Sequence, residues 1–314
     1  MNKIDYRNYD NSVYQYRVER TYRRMIEYQS LGYVLDTKAF YIRYPNIKKS
    51  IWDVFDLLNT VIDESDPDTN YPQIIHAYQT ASAINNIYLK INNRRKLKKI
   101  LIKELFSPEE WHYIPFSIKE KYKKYLHEQY AHIKEWDWFS LVGFIHDLGK
   151  VLVLKEFGGL PQWSVVGDTF PVGCSYSSKN LFYHKKYHRK NEDYKKYNAY
   201  GIYQERCGFE KIHMSYGHDE YFASILEINK TKLPKEAIYI IRFHSFYTWH
   251  SPKKSNIRGY THLANEYDWM MLPLLKAFQK ADLYSKKDFK NMKHIKKLFS
   301  PLIQKYIGKT ELIW

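Results

Sequence analysis

The chain has 314 residues, 44% of them hydrophobic, which excludes a disordered protein and allows a sizeable folded core. Its apolar runs are too short to cross a membrane, its start lacks a secretory signal, and two cysteines cannot form a disulfide framework. The formal net charge of +16 is spread along the chain without a nucleic-acid-binding motif, so we expect a cytoplasmic protein with no membrane or nucleic-acid partner.

Helical periodicity dominates the N-terminal part of the chain. Residues 17–38 carry apolar side chains at three- and four-residue spacings, which predicts an amphipathic helix. Residues 50–63 open with Ser50, a candidate helix cap, and predict a second helix. Residues 72–91 open with Pro72, which suits a first helical turn, and predict a third.

Residues 92–134 look like an addition to the domain. They contain eleven Lys or Arg against five Glu, and two short amphipathic helices around Pro115 would account for the pattern. We expect a solvated basic helical insertion on the surface. The rival interpretation is a binding segment for nucleic acid or an anionic surface, which would make binding strongly dependent on salt.

The rest of the chain also favours helices. Between 155 and 200, Gly and Pro turns predict an irregular connection, and sustained strand alternation is scarce throughout. We therefore expect a mostly α fold with a single domain over 1–314 and no linker. The later helices are expected at 138–154, 219–229, 235–246, 266–284 and 291–306.

Three polar residues interrupt the apolar stretch LVGFIHDLGKVLVL at 141–154. His146 and Lys150 would share one face of a helix at their four-residue spacing, and Asp147 would lie beside them. Because a buried, unpaired carboxylate is costly, Asp147 needs a cation. Lys150 could serve, but it leaves the imidazole of His146 unexplained, whereas a metal ion would account for both.

Four further residues of the same chemistry lie in apolar surroundings: His76, His218, His244 and Asp282. Each alone could be a hydrogen-bonded core residue. Together with His146 and Asp147 they offer four imidazoles and two carboxylates, more donors than one zinc site uses, which favours two metal ions. Iron, manganese, zinc and nickel all accept such donors, and a carboxylate such as Asp147 can bridge two metals.

Longer stretches carry a resemblance to a known family. The order His…His-Asp…Asp resembles the HD-domain superfamily of helical, metal-dependent phosphohydrolases, and the surrounding residues resemble the myo-inositol oxygenase family. Two regions, 92–134 and about 175–200, depart from that family's pattern. The matching phrases are YRNY (6–9), DESDPD (63–68), HAYQTA (76–81), LVGFIHDLGKVL (141–152), PQWSVVGDTFPVGC (161–174), MSYGHDEY (214–221), IRFHSFYTWH (241–250) and DLYSK (282–286).

The resemblance implies an HD-domain-like fold with a di-metal site in its helical core. It implies a mixed-valent Fe(II)/Fe(III) enzyme that cleaves the ring of myo-inositol with O2, the co-substrate, to give D-glucuronate. One iron would be bound by His76, His146, Asp147 and Asp282. The other would be bound by His218 and His244, with Asp147 bridging both.

The same resemblance assigns the substrate contacts and the catalytic residues. Lys150 and Asp147 would be catalytic, and we expect a monomer whose partner is the small molecule. A metal-dependent phosphohydrolase on the same scaffold remains the alternative, because it would use the same donors. The expected substrate contacts are Arg7, Asp63, Ser65, Lys150, Gly167, Asp168, His244, Ser245 and Lys286.

Overall fold

The structure is a computed structural model in which seven stretches of the chain are described. Predictions for Arg7 and Lys286, and for all of the insertion 92–134 except 114–130, lie outside these stretches. No helix in the described part is both long enough and apolar enough to cross a membrane. The described residues are 12–43, 46–67, 73–86, 114–130, 136–251, 258–283 and 292–314.

Helices make up nearly all of the regular structure in these stretches, which confirms the mostly α fold. The sheet that they contain is one short antiparallel pair, β1 (Lys48–Lys49) with β2 (Leu312–Ile313). The α-helices are α1 (Gln15–Tyr28), α2 (Leu31–Arg43), α3 (Ile51–Leu58), α4 (Gln73–Ile84), α5 (Phe116–Tyr130), α6 (Asp137–Ile145), α7 (His218–Ile228), α8 (Lys235–Phe243), α9 (Tyr247–His250), α10 (Glu266–Leu283) and α11 (Met292–Tyr306).

The prediction of one helix over 17–38 was wrong, because the chain turns between α1 and α2. Gln29 ends α1, and its side chain donates to the carbonyl of Tyr216 at 2.6 Å and accepts from the Tyr216 N–H at 2.9 Å. Asn191 donates to the carbonyls of Ile26 and Gln29 at the same end. These tertiary bonds satisfy polar groups that a continuing helix would satisfy itself.

The prediction of one helix over 138–154 was also wrong. Helix α6 ends at Ile145, His146 and Asp147 form a turn, and a 3₁₀ segment follows at Leu148–Val153. At Gly149 an added Cβ would lie 1.9 Å from the carbonyl oxygen of His218, so only glycine allows this approach to α7. Because the helix breaks here, Asp147 and Lys150 have positions relative to His146 that differ from those in a continuous α-helix.

Helix α6 is the central element of the core. Its residues from Trp138 to Ile145 are all buried. On one side, an added Cβ at Gly143 would lie 3.1 Å from the backbone of Ala81, which shows how closely α4 crosses it. On another side, Phe144 stacks on Phe299 of α11 with ring centroids 4.1 Å apart. Helices α4, α8 and α10 pack on α6, and α7 packs on the 3₁₀ segment that follows it, so the four helices meet near the end of α6, where the candidate site lies.

The sequence predicted several other elements well. Ser50 caps α3 with a reciprocal bond to Asp53, as its position suggested. The connection over 155–200 consists of turns and short 3₁₀ segments, as expected. In the described part of the insertion, α5 buries Ile118, Tyr122 and Leu126 against the body of the protein. That helix is therefore packed on one face, while the other proposed helix lies outside the described residues.

Candidate metal centre

Asp147 lies between two groups of potential ligands. Its Oδ2 atom is 3.4 Å from Nε2 of His146 and 3.7 Å from Nε2 of His76. Its Oδ1 atom is 3.3 Å from Nε2 of His218 and 3.6 Å from Nε2 of His244. The two oxygens of one carboxylate thus face two different sets of imidazoles.

The first group is built by three helices. His76 comes from the first turns of α4, His146 from the end of α6, and Asp282 from the last turn of α10. Asp282 Oδ1 lies 2.9 Å from His76 Nε2 and 3.4 Å from His146 Nε2. One potential ligand atom from each residue lies within 4.8 Å of the others, a spacing that would allow a shared metal ion.

The second group joins α7 to the end of α8. His218 is the first residue of α7 and His244 follows the last residue of α8. Their Nε2 atoms lie 3.1 Å apart, and both side chains are at most 4% exposed. With two imidazoles and one oxygen of Asp147, this group has fewer protein donors than the first.

Backbone carbonyls orient three of the four imidazoles. Nδ1 of His146 lies 3.0 Å from the carbonyl oxygen of Gly143, and Nδ1 of His244 lies 2.8 Å from that of Ile241. Nδ1 of His218 lies 2.7 Å from the carbonyl oxygen of Val165. A carbonyl can only accept, so each Nδ1 carries the proton, and each Nε2 presents a lone pair to the centre.

The electrostatics keep both carboxylates ionised. Burial alone would raise the pKa of Asp147, but the neighbouring His146 and Lys150 hold that pKa well below its usual value. Burial likewise opposes ionisation of Asp282, and the neighbouring His76 and His146 lower its pKa well below the usual value. The centre therefore concentrates negative charge and imidazole lone pairs in a buried space.

This donor set suits metal ions of intermediate softness. It consists of imidazole nitrogens and carboxylate oxygens without a thiolate. Such a set is typical of sites for iron, manganese or catalytic zinc, whereas structural zinc sites and iron–sulfur clusters are bound mainly by cysteine thiolates. A buried carboxylate whose two oxygens face separate ligand groups is the arrangement that a bridging ligand requires. The residues present thus fit a pair of metal ions.

Beside the centre, Lys150 makes a buried ion-paired network. Its Nζ atom lies 2.8 Å from Asp147 Oδ2, 2.9 Å from Asp63 Oδ2 and 3.1 Å from Gln73 Oε1. Asp63 in turn accepts from the hydroxyl of Ser65 at 2.6 Å. Three of the predicted substrate contacts, Asp63, Ser65 and Lys150, are therefore brought together next to the candidate ligands.

A second set of predicted contacts lies on the turn after Val166. Gly167 has φ +105°, a conformation that favours glycine, and Asp168 follows it. The hydroxyl of Tyr22 donates to Asp168 Oδ1 at 2.6 Å. The carbonyl of Ser245 accepts from the N–H of Thr169 at 2.9 Å, so the turn is tied to the residue that follows His244.

Sequence reasoning missed two residues of this region. Tyr22 is buried on α1, and its hydroxyl contacts the carboxylate of Asp168, a residue predicted to bind the substrate. Gln73 lies one helical turn before His76 and contacts Lys150. The Gln73-to-His76 spacing was a usable signal, since residues three apart share a helix face. Nothing in the sequence indicates a contact between Tyr22 and Asp168, because the two residues are 146 positions apart in the chain.

Comparison with known proteins identifies the family of the chain. The model of the family described as myo-inositol oxygenase matches residues 15–102 and 120–314, which is well over half of the chain. The chain belongs to the myo-inositol oxygenase family. All six candidate ligands lie within the matched residues, and the unmatched residues, 103–119, fall inside the predicted insertion.

Named members of the myo-inositol oxygenase family agree over nearly the full chain. Inositol oxygenase of Dictyostelium discoideum is 42% identical over 99% of this chain and 90% of its own length. Inositol oxygenase 2 of Arabidopsis thaliana is 39% identical over 98% of this chain and 83% of its own length. Inositol oxygenase of Homo sapiens is 35% identical over 97% of this chain and 89% of its own length.

Proposed function

We propose that this protein is an inositol oxygenase that converts myo-inositol and O2 to D-glucuronate by cleaving one C–C bond of the ring. In the balanced reaction one oxygen atom of O2 enters the product and the other leaves as water. The substrate supplies all the electrons, so no external reductant is required. The observation that carries the proposal is the placement of Asp147 between two ligand groups in a chain of this family.

The cofactor that we infer is a mixed-valent pair of iron ions. His76, His146 and Asp282 would hold one, His218 and His244 the other, and Asp147 would bridge them. The pair supplies the redox chemistry with O2 that protein side chains lack. The second group has fewer protein donors, as expected of the ion that leaves coordination positions for substrate.

Lys150 would bind and orient a substrate oxygen. Burial opposes its charge, but Asp147 and Asp63 raise its pKa above the ordinary value, so it stays an ammonium group with protons to donate. An ammonium beside the centre stabilises negative charge that develops on a substrate hydroxyl. Asp63, whose pKa is lowered by Lys150 although burial opposes this, accepts hydroxyl hydrogens as a carboxylate.

The other side of the substrate would face the turn at 167–168. Tyr22 holds the Asp168 carboxylate by one oxygen and also accepts from the Asp168 N–H at 3.2 Å. Ser245, only 5% exposed, follows the candidate ligand His244. Carboxylate, hydroxyl and backbone groups at fixed positions suit a ring that carries a hydroxyl on every carbon.

We also propose that Arg7 and Lys286 contact substrate and that the protein acts as a monomer.

Product analysis tests the proposal. Iron-loaded protein incubated with myo-inositol in air-saturated buffer should form D-glucuronate and consume O2 in equal amounts. The matched control is Asp147→Asn under the same loading. Absence of glucuronate together with turnover of a phosphodiester or nucleotide would overturn the assignment in favour of a phosphohydrolase, which would use the same donors.

A further inference from the structure

A cavity of about 290 Å³ lies apart from the candidate metal ligands. Its walls come from the end of α1, from residues 170–176 and from residues 183–197. None of the six candidate ligands and none of the described substrate contacts lines it. Six aromatic rings do: Phe170, Tyr176, Tyr183, His188, Tyr194 and Tyr197.

The aromatic wall is an ordered stack. The ring of His188 is nearly parallel to that of Tyr183, with centroids 4.6 Å apart and an interplanar angle of 8°. It is also nearly parallel to Tyr176, at 5.4 Å and 14°. Tyr194 meets His188 edge-on at 5.8 Å. Tyr183 and Tyr194 are each 37% exposed, so ring surface remains for a further flat group to stack on.

Within the described part of the stack, His188 carries the buried polar atom that lacks a hydrogen-bond partner. The side chain is only 9% exposed, and its Nδ1 is buried without a hydrogen-bond partner in the described part of the chain. A buried polar atom without a partner costs free energy.

The rim of the cavity is basic. The segment YHKKYHRKNEDYKKY at 183–197 contains six Lys or Arg against two acidic residues. Asp193, the one acidic residue among the described residues that line the cavity, already accepts from the Leu31 N–H at 2.6 Å and pairs with Lys196 at 3.3 Å. Lys195 lines the cavity and is exposed, and its Nζ atom lies 5.5 Å from the ring centroid of Tyr194, which places a positive charge at the edge of the aromatic wall where an anion could bind.

We propose that this cavity binds a nucleoside monophosphate, with the base stacked on the Tyr183–His188 wall and the phosphate on the rim at Lys195. Aromatic faces combined with a basic edge form the combination that binds bases and phosphates together. The volume lies at the lower end of small-ligand sites, which favours a mononucleotide over a dinucleotide. This function is separate from the oxygenase activity and does not depend on it.

Calorimetric titration of the metal-loaded protein with AMP, adenosine and inorganic phosphate tests the proposal. AMP should bind saturably and at least tenfold more tightly than either adenosine or phosphate. Tyr183→Ala should weaken AMP binding about tenfold, since stacking on one aromatic ring is worth that much. Tyr200→Ala is the matched control, because Tyr200 is 38% exposed and does not line the cavity.

Two more variants separate the base from the phosphate. Lys195→Gln should weaken AMP binding but not adenosine binding. Its control is Lys230→Gln, an exposed lysine of similar backbone conformation, with φ +53° against +65°, away from the cavity. Ser175→Trp, at an exposed position of the wall, should fill the cavity and abolish binding with an unchanged melting temperature.

Three results would overturn the proposal. The first is the absence of saturable AMP binding. The second is phosphate binding as tight as that of AMP, which would show that the aromatic wall does not contribute to binding of the base. The third is unchanged AMP affinity in both Tyr183→Ala and Ser175→Trp.

Discussion

Nε2 of His218 lies 3.1 Å from Nε2 of His244 in the buried centre. Both rings donate through Nδ1 to backbone carbonyls, so both Nε2 atoms present lone pairs to each other. Two acceptors at this distance repel each other unless a proton or a cation lies near both. A metal ion bound by both nitrogens would relieve this repulsion, so removal of metal should destabilise the protein.

Asp147→Asn should remove metal as well as activity. The amide keeps the size of the side chain but loses the charge and one acceptor oxygen, so it cannot bridge two ions. Metal content measured by atomic emission should fall below half of that of the unmodified protein, and glucuronate formation should be lost. Asp137→Asn is the control, since Asp137 begins α6, the helix that ends just before His146, and its carboxylate contacts Lys305 and Tyr306, away from the candidate ligands. Full metal content in Asp147→Asn would contradict the bridging role.

Lys150→Ala should retain metal and lose turnover. The change removes the ammonium that faces Asp147 and Asp63, and we expect the rate to fall by about two orders of magnitude or more. It should also destabilise the metal-free protein by about 3–5 kcal/mol, because two buried carboxylates lose their cation. Metal analysis, steady-state kinetics and denaturant unfolding measure the three effects. Lys155→Ala, at an exposed position nearby, should change none of them.

Gly149→Ala should displace His218. An added Cβ would lie 1.9 Å from the carbonyl oxygen of His218, so the start of α7 must move away from the 3₁₀ segment. We expect a lower melting temperature and weaker binding of one of the two metal ions. Gly32→Ala is the control, because its Cβ would meet only an ordinary contact at 3.4 Å from Glu192. Two tightly bound ions in Gly149→Ala would contradict the proposed role of His218.

Asp268 should make stability depend on pH. Burial raises its pKa to about 6, although bonds from Asn265, Phe209 and Tyr239 oppose the shift. The folded state then binds a proton at Asp268 more tightly than the unfolded state, so the contribution of this residue to stability falls as pH rises from about 4 to about 6 and is constant above. The expected loss is about 3 kcal/mol. Unfolding in urea across this range measures it, and Asp268→Asn should flatten the dependence.

The sequence was sufficient to predict where helices form but not where the chain turns between two of them. Apolar periodicity placed α7, α8, α10 and α11 close to their observed bounds, and Ser50 marked the start of α3, although that helix ends at Leu58 and not at the predicted residue 63. The breaks at Gln29 and at Asp147 depend on partners distant in the chain, such as Tyr216 and His218. Local propensity does not contain such contacts, so both breaks were predicted as continuous helix.

The candidate ligands could be predicted because their chemistry conflicts with their surroundings. An imidazole or a carboxylate in an apolar run needs a partner, and six such residues indicated one shared site. Sequence reasoning named Asp147 as a possible bridge, but which imidazoles face each of its two oxygens depends on the turn that ends α6. The contact of Tyr22 with Asp168 was equally hidden, since it joins two distant segments.

The central claim is that Asp147 bridges two iron ions. Mössbauer spectroscopy, with metal analysis, on iron-loaded protein prepared under controlled oxygen tests it most directly. We expect two irons per chain with distinct signals, coupled magnetically to each other, and the loss of that coupling in Asp147→Asn. A single uncoupled iron, or a pair that stays coupled in Asp147→Asn, would contradict the claim.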